Sequence, residues 1–161
     1  MEKILFINGI SPYLYALAVF LNHDKDYGKV WLTCLGVFLV QLLVTIIISI
    51  VCKDKKELAR VTMINKLIQI PYFILFFVFS VLFVFFGTFF FGIGILFLPV
   101  FIMIDFGVFL STLIPEEICT MNLISKGRLS GKNALEYLIC NAIYIADIFL
   151  AFSIYNEYKK I

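Results

Sequence analysis

The sequence predicts an all-α integral membrane bundle of five transmembrane helices in a single domain, amino terminus in the cytoplasm. Three observations carry that reading. Between Lys66 and Asp105 the chain runs 38 residues without a formal charge, about twice what one helix needs to cross a bilayer. Of its 161 residues, 63% are hydrophobic and only 15% charged, whereas soluble domains carry roughly a quarter of their residues as charged ones; the mean hydropathy is +1.05. Finally, most Lys and Arg fall on one side of the predicted spans, as cytoplasmic loops require.

The first span covers about residues 4–21. It is short and interrupted by Asn8-Gly9 and Ser11-Pro12. Ala16-Leu17-Ala18 resembles a cleavage signal, but a secretory signal core would avoid Asn8, so a retained helix is expected. A polar turn from Asn22 to Lys29 leads to a second span, 30–52. The charged segment from Lys53 to Arg60 ends it, and the third span is expected over 61–86. The Gly-rich patch from Gly87 to Gly94 supplies the cheap backbone turn of a hairpin, with a re-entrant element as the alternative. The fourth span covers 92–114, and Pro115-Glu116-Glu117 marks its exit into a longer polar connection reaching Lys132. Ser130 can cap the last helix, whose span is 134–156.

With five spans, Lys3, Lys53, Lys55, Lys56, Arg60, Lys66, Lys126, Arg128 and Lys132 lie on one side, and Lys25, Lys29, Lys159 and Lys160 on the other. The first side is therefore the cytoplasmic one and the carboxyl terminus is expected outside. Lys53, Lys55, Lys56 and Arg60 form a basic cluster at the membrane surface, where an anionic leaflet contributes about 1 kcal/mol per cation. No internal repeat supports an inverted-repeat transporter.

Asp105 and Asp147 stand out within spans, because a lone charge at the bilayer centre costs at least roughly 2.5–3.5 kcal/mol on insertion scales. Antiparallel neighbouring helices could bring them to similar depth. The candidate polar pocket comprises Asp105, Asp147, Lys66, Asn65, Gln69, Asn141 and Tyr144, with Lys66 either turned inward to an aspartate or snorkelling to the interface. Two carboxylates in one dry pocket would need a shared proton or a cation. Other polar residues also fall at helical spacing: Asn8, Ser11 and Tyr15; Gln41, Thr45 and Ser49; Thr62, Asn65, Gln69 and Tyr72; Tyr137, Asn141, Tyr144 and Asp147. Such stripes either bind helices to one another or line a polar path. Pro71 and Pro99, read as lying inside spans, would free the carbonyls of Leu67 and Ile95.

Enzymatic chemistry is not expected. His23 is the only histidine, which excludes H-E-x-x-H metal chemistry and an intramembrane Ser-His pair. The surroundings of the aspartates, PVFIMIDFG and IYIADIFL, lack the Tyr-Asp and Gly-x-Gly-Asp pair of an aspartyl intramembrane protease. Cys34, Cys52, Cys119 and Cys140 show no C-x-x-C spacing and read as structural thiols, so neither metal nor cofactor is expected. A net charge of +2 gives no basis for nucleic-acid binding.

The order of features, a SPY-bearing first helix, MINKLIQIPYF, LPVFIMIDF and a closing IYIADIF, resembles small multi-spanning bacterial membrane proteins grouped as domains of unknown function. The abundance of Lys, Ile, Phe, Asn and Tyr would suit an AT-rich genome. The resemblance implies no activity. Two functional classes follow: an accessory, scaffold or immunity-type protein packed against another membrane component or a second copy, and a small oligomeric transporter or channel that uses the buried carboxylates.

Overall fold

The computed structural model describes residues 2–22, 27–128 and 144–160, all helical apart from short turns and caps, with no strand among them. A 3-10 turn, Glu2–Phe6, leads into α1, Ile7–Leu21. Then come α2 (Tyr27–Val51), α3 (Lys55–Phe91), α4 (Leu98–Ser125) and α5 (Tyr144–Lys159). Among the described residues, four helical stretches are long and apolar enough to cross a membrane: Glu2–Leu21, Gly28–Val51, Lys55–Phe91 and Gly94–Ser125.

The helix ends have local causes. Asp54 caps α3 by accepting from the Glu57 amide at 3.0 Å, which draws the charged segment 55–60 into the helix instead of leaving it as a loop. Lys55 turns back along α2, its Nζ donating to the Ser49 carbonyl at 2.6 Å. At the other end α3 continues to Phe91 and stops at Gly92, whose φ of 69° is cheap for glycine and whose amide donates to Thr88 O. The following 3-10 turn, Gly94–Phe97, folds onto α3. A Cβ at Gly94 would sit 2.4 Å from the Thr88 nitrogen, so only glycine fits that approach. The hairpin is thus formed at residues 92–97, and α3 ends five residues beyond the expected end of the third span.

Two proline expectations are corrected. Pro99 lies in the first turn of α4, where a missing amide leaves no intrahelical bond unmade; Ile95 O accepts from the Leu98 amide. Pro115 does not end α4. The helix runs through it and through Glu116-Glu117 to Ser125, so the expected polar connection beginning at Pro115 starts only beyond Ser125. A left-handed Gly127 (φ 67°) then closes the helix, with Arg128 N donating to Leu123 O at 3.0 Å.

The direction of α5 is a further correction. Tyr158 donates its hydroxyl to Cys119 O at 2.9 Å, and Lys126 Nζ lies 5.9 Å from the Tyr158 ring centre. Asp147, eleven residues earlier, meets Lys66. The helix therefore runs antiparallel to the first half of α3, and its carboxyl end returns beside the α2–α3 turn and the end of α4. Residues 53–60, 126–128 and 159–160 share one end of the molecule, the basic end, and the α3–α4 turn marks the opposite, hairpin end. The carboxyl terminus does not lie across the bundle from Lys53, as five spans required. Part of the expected span 134–156, residues 134–143, lies outside the described residues.

The core sits at the basic end, where Leu5, Ile48, Cys52, Leu58, Val61, Cys119, Leu123 and Ile154 pack together. Toward the hairpin end the outward side chains are large and apolar: Phe77, Phe79, Phe85, Phe89, Phe90 and Phe91 are all exposed.

A candidate functional site of buried polar groups

Three charged side chains from three helices meet at the site. Lys66 of α3 is 3% exposed and its ammonium contacts the carboxylates of both Glu116 on α4 and Asp147 on α5. Glu116 and Asp147 are 1% and 3% exposed. Lys66 is thus turned inward rather than snorkelling. Two carboxyl groups share one ammonium, a geometry in which each partner depends on the others, because an unpaired charge at such burial is strongly destabilising.

Toward the hairpin end a second layer consists of amides and hydroxyls. Asn8 Nδ2 donates to Thr45 Oγ1 at 3.0 Å and to the Ser111 carbonyl at 3.1 Å. Gln41 Nε2 donates to Asn8 Oδ1 at 2.7 Å and to Ser11 Oγ at 2.8 Å, while the Tyr15 hydroxyl donates to Gln41 Oε1 at 2.5 Å. Gln69 Nε2 donates to the Asn8 carbonyl at 2.8 Å. The stripes read on the first three spans therefore converge, joined by Ser111 and Thr112 of α4.

These bonds answer the prolines. A proline at position i leaves the carbonyl at i−4 without its helical donor. For Pro12 that carbonyl is Asn8 O, which receives Gln69 Nε2; for Pro115 it is Ser111 O, which receives Asn8 Nδ2. At Pro71 the Tyr13 hydroxyl donates to the Ile68 carbonyl at 2.6 Å and accepts from the Tyr72 amide at 3.1 Å, standing within the α3 ladder. Side chains of α3 and α1 thus replace the backbone donors lost on α1 and α4, while on α3 the Tyr13 hydroxyl takes up the Tyr72 amide and the Ile68 carbonyl beside Pro71. Asn65 completes the layer by donating to Leu5 O at 2.6 Å across Gly9, where an added Cβ would lie 2.9 Å from Asn65 Oδ1.

The structure brings Lys66, Asn65, Gln69 and Asp147 into this region and separates Asp105 from it. Asp105 precedes Glu116 by eleven residues on the same helix, roughly 16 Å at 1.5 Å per residue, and is half-buried within electrostatic reach of Tyr72. The expected pocket shared by Asp105 and Asp147 is corrected: the carboxylate beside Asp147 is Glu116. Asn141 and the side chain of Tyr144 lie outside the described residues. Of the basic cluster, Lys53, Lys56 and Arg60 are exposed, and Arg60 pairs with Glu57 at 3.4 Å.

Sequence reasoning missed Glu116 because the triplet Pro-Glu-Glu imitates a helix exit. A usable signal was present. Thr112, Glu116 and Thr120 recur every fourth residue straight through Pro115, all buried, which is the spacing of one helix face.

Two grooves of about 410 and 530 Å³ lie elsewhere, one lined by Trp31, Leu32, Leu35 and Met103, the other by Phe79, Phe83, Phe86 and Phe97. No group of three or more His, Cys, Asp or Glu residues with metal-binding geometry occurs among the described residues. In comparisons with known proteins, the chain matches no family model, no curated protein and no solved structure.

Proposed function

We propose that this chain is a small multi-pass protein of the cell membrane, of bacterial type, acting as an accessory, scaffold or immunity-type component that packs against another membrane protein or a second copy. In this reading α1, α2, α3 and α4 cross the bilayer, the amino terminus is cytoplasmic, and α5 returns to the cytoplasmic end. One observation carries it. The intramembrane amides are committed to the carbonyls that prolines free and to one another, an arrangement that fixes helix packing. The four crossing helices support the membrane placement by length and composition, and the returning α5 adds Lys159 and Lys160 to the basic side, in keeping with the positive-inside rule.

The second reading, a small oligomeric transporter or channel, is favoured by one feature, the pairing of a single ammonium with two buried carboxyl groups. With all three ionised the cluster carries a net negative charge that one proton or small cation would balance. Purified protein in vesicles, assayed for proton and monovalent-cation flux, separates the two. The scaffold reading expects no flux above empty vesicles, and expects Asp147→Asn to lower thermal stability without altering permeability. Flux that is abolished in both Glu116→Gln and Asp147→Asn overturns it in favour of the transporter.

A further inference from the structure

We infer that the basic end is one continuous docking surface for anionic phospholipid headgroups, assembled from segments 53–60, 126–128 and 159–160 by the return of α5. The inference rests on the membrane placement proposed above and is independent of whether the chain acts as scaffold or transporter. Seven basic side chains at this end are exposed: Lys53, Lys56, Arg60, Lys126, Arg128, Lys159 and Lys160. Among the described residues, carboxylates engage two of them, Glu57 with Arg60 and Glu157 with Lys160. Lys159 lies over the Tyr155 ring at 4.7 Å and Lys126 near Tyr158 at 5.9 Å, contacts that hold the cations in place while leaving their charge available to an anion.

The fold, more than the sequence, makes the surface. Along the chain these residues form three groups separated by tens of positions. The Tyr158 hydroxyl, bonded to Cys119 O at 2.9 Å and facing Asn122 Oδ1 at 3.1 Å, fixes the carboxyl end against the last turns of α4. Contact between Cys119 Sγ and Lys55 O at 3.7 Å then ties α4 to the start of α3. The hairpin end offers the contrast: from Leu67 to Ile104 the chain has no charged residue, and the described basic side chain toward that end is Lys29, at the start of α2. A leaflet of phosphate headgroups fits the first end and not the second, because juxtamembrane cations are drawn to an anionic membrane surface over about a Debye length.

The test uses the full chain in vesicles containing spin-labelled phosphatidylglycerol or phosphatidylcholine, with relative lipid association read by electron spin resonance. The unsubstituted protein should favour phosphatidylglycerol. The triple variant Lys126→Gln, Arg128→Gln, Lys159→Gln should weaken that preference by about tenfold or more, given about fivefold per cation at an anionic surface. Lys53→Gln with Lys56→Gln should weaken it comparably, and Lys29→Gln, at the other end of α2, should leave it unchanged. Equal preference in the triple variant and the unsubstituted chain overturns the inference. So does a loss confined to the Lys53 and Lys56 pair, which would detach α5 from the surface. In a parallel labelling experiment, Lys56→Cys and Lys159→Cys should react with an impermeant maleimide from the same face, above the background of the unsubstituted chain; opposite faces would refute the shared end. Failure of the membrane placement itself would show separately, as release of the protein from membranes by alkaline carbonate.

Discussion

The two halves of α3 are built on opposite principles. From Leu58 to Tyr72 the helix buries Thr62, Asn65, Lys66 and Gln69 against α1, α4, α5 and the Glu2–Phe6 turn, whereas from Phe73 to Phe91 it presents aromatic rings outward and meets chiefly α4 and the Gly94 turn. The first half is specified by directional bonds, each with an identified donor and acceptor. The second relies on apolar bulk, with Phe101 meeting Phe79 and Phe83 edge to face at 6.2 and 5.3 Å. In the proposed membrane placement lipid would solvate such a surface as well as a protein core does, so rings there contribute little directional preference. Polar groups in the same environment cannot be left unmatched. Structural uniqueness should therefore concentrate at the basic end.

The largest test of that contrast is Lys66→Met. It leaves Glu116 and Asp147 buried without their counter-charge, and removing one member of a buried ion pair costs about 3–5 kcal/mol. Thermal unfolding in detergent should reflect that loss. Conservative replacement of both carboxylates as well, Glu116→Gln and Asp147→Asn in the Lys66→Met background, should recover part of it, since the uncompensated charge is gone. A triple variant no more stable than the single one would mean the cluster is not an electrostatic unit.

At the hairpin end the expected effects are small with one exception. Gly94→Ala forces a Cβ to within 2.4 Å of the Thr88 nitrogen and 2.5 Å of the Val84 carbonyl, backbone atoms that cannot swing aside. Overpacking of this kind costs typically about 1–3 kcal/mol. Phe89→Ala, at a ring that is 75% exposed, should change stability by less than about 0.5 kcal/mol. If Phe89→Ala proved the more damaging of the two, the outward aromatics would have to be part of a packed interface instead of a lipid-facing surface.

A double-mutant cycle sharpens the account of the basic half. Asn8→Ala deletes the donor to Ser111 O and should cost roughly 1–3 kcal/mol, as leaving buried partners unsatisfied does. Pro115→Ala restores the helical amide that Ser111 O lacks. In the Pro115→Ala background, Asn8→Ala should therefore cost less than in the native one, with a coupling energy of about 0.5 kcal/mol or more. Strict additivity would mean that Asn8 and Pro115 do not compensate each other. The same cycle applies to Gln69 and Pro12.

These pairings show what the sequence could and could not disclose. The polar stripes on α1, α2 and α3 were readable because residues three and four apart share a helix face, and Asn8, Gln41, Thr45 and Gln69 all fall on such spacing. Their partners were not readable, since a carbonyl freed by proline has no side-chain signature and depends on which helix passes beside it. Glu116 was lost to a local rule: a proline inside a helical pattern ends or kinks the helix, but Asn8 supplies the donor that keeps this one intact. The direction of α5 was hidden for a related reason. The charge count that assigned Lys159 to the outside assumed that the last span carries it away from the Lys53 side, whereas Tyr158 and Ile154 bind it to the buried core at the opposite end. Local propensity was legible; tertiary compensation was not.

The smallest expected effect concerns how far the basic end is sealed at its surface turn. Cys52 lies between α2 and α3, is 3% exposed, and directs its thiol to Glu2 Oε1 at 3.0 Å and Asp54 O at 3.1 Å. Burial first, and then the Glu2 carboxylate that accepts from the thiol, push its pKa from 9.0 up to about 11. Because the folded chain holds the proton more tightly, the thiol's contribution to stability is complete below about pH 9 and is lost as pH rises through 11. Only the thiolate is nucleophilic. At pH 8 Cys52 should thus react with an impermeant maleimide far more slowly than a cysteine placed at neighbouring Lys53, and the gap should close at high pH. Glu2→Gln removes the charge but not the burial, so it should speed the reaction only modestly. Rapid labelling of native Cys52 at pH 8 would show that the α2–α3 turn opens to water on the timescale of the reaction, and the distinction between a sealed basic end and a hairpin end of exposed apolar side chains would fail at its most accessible point.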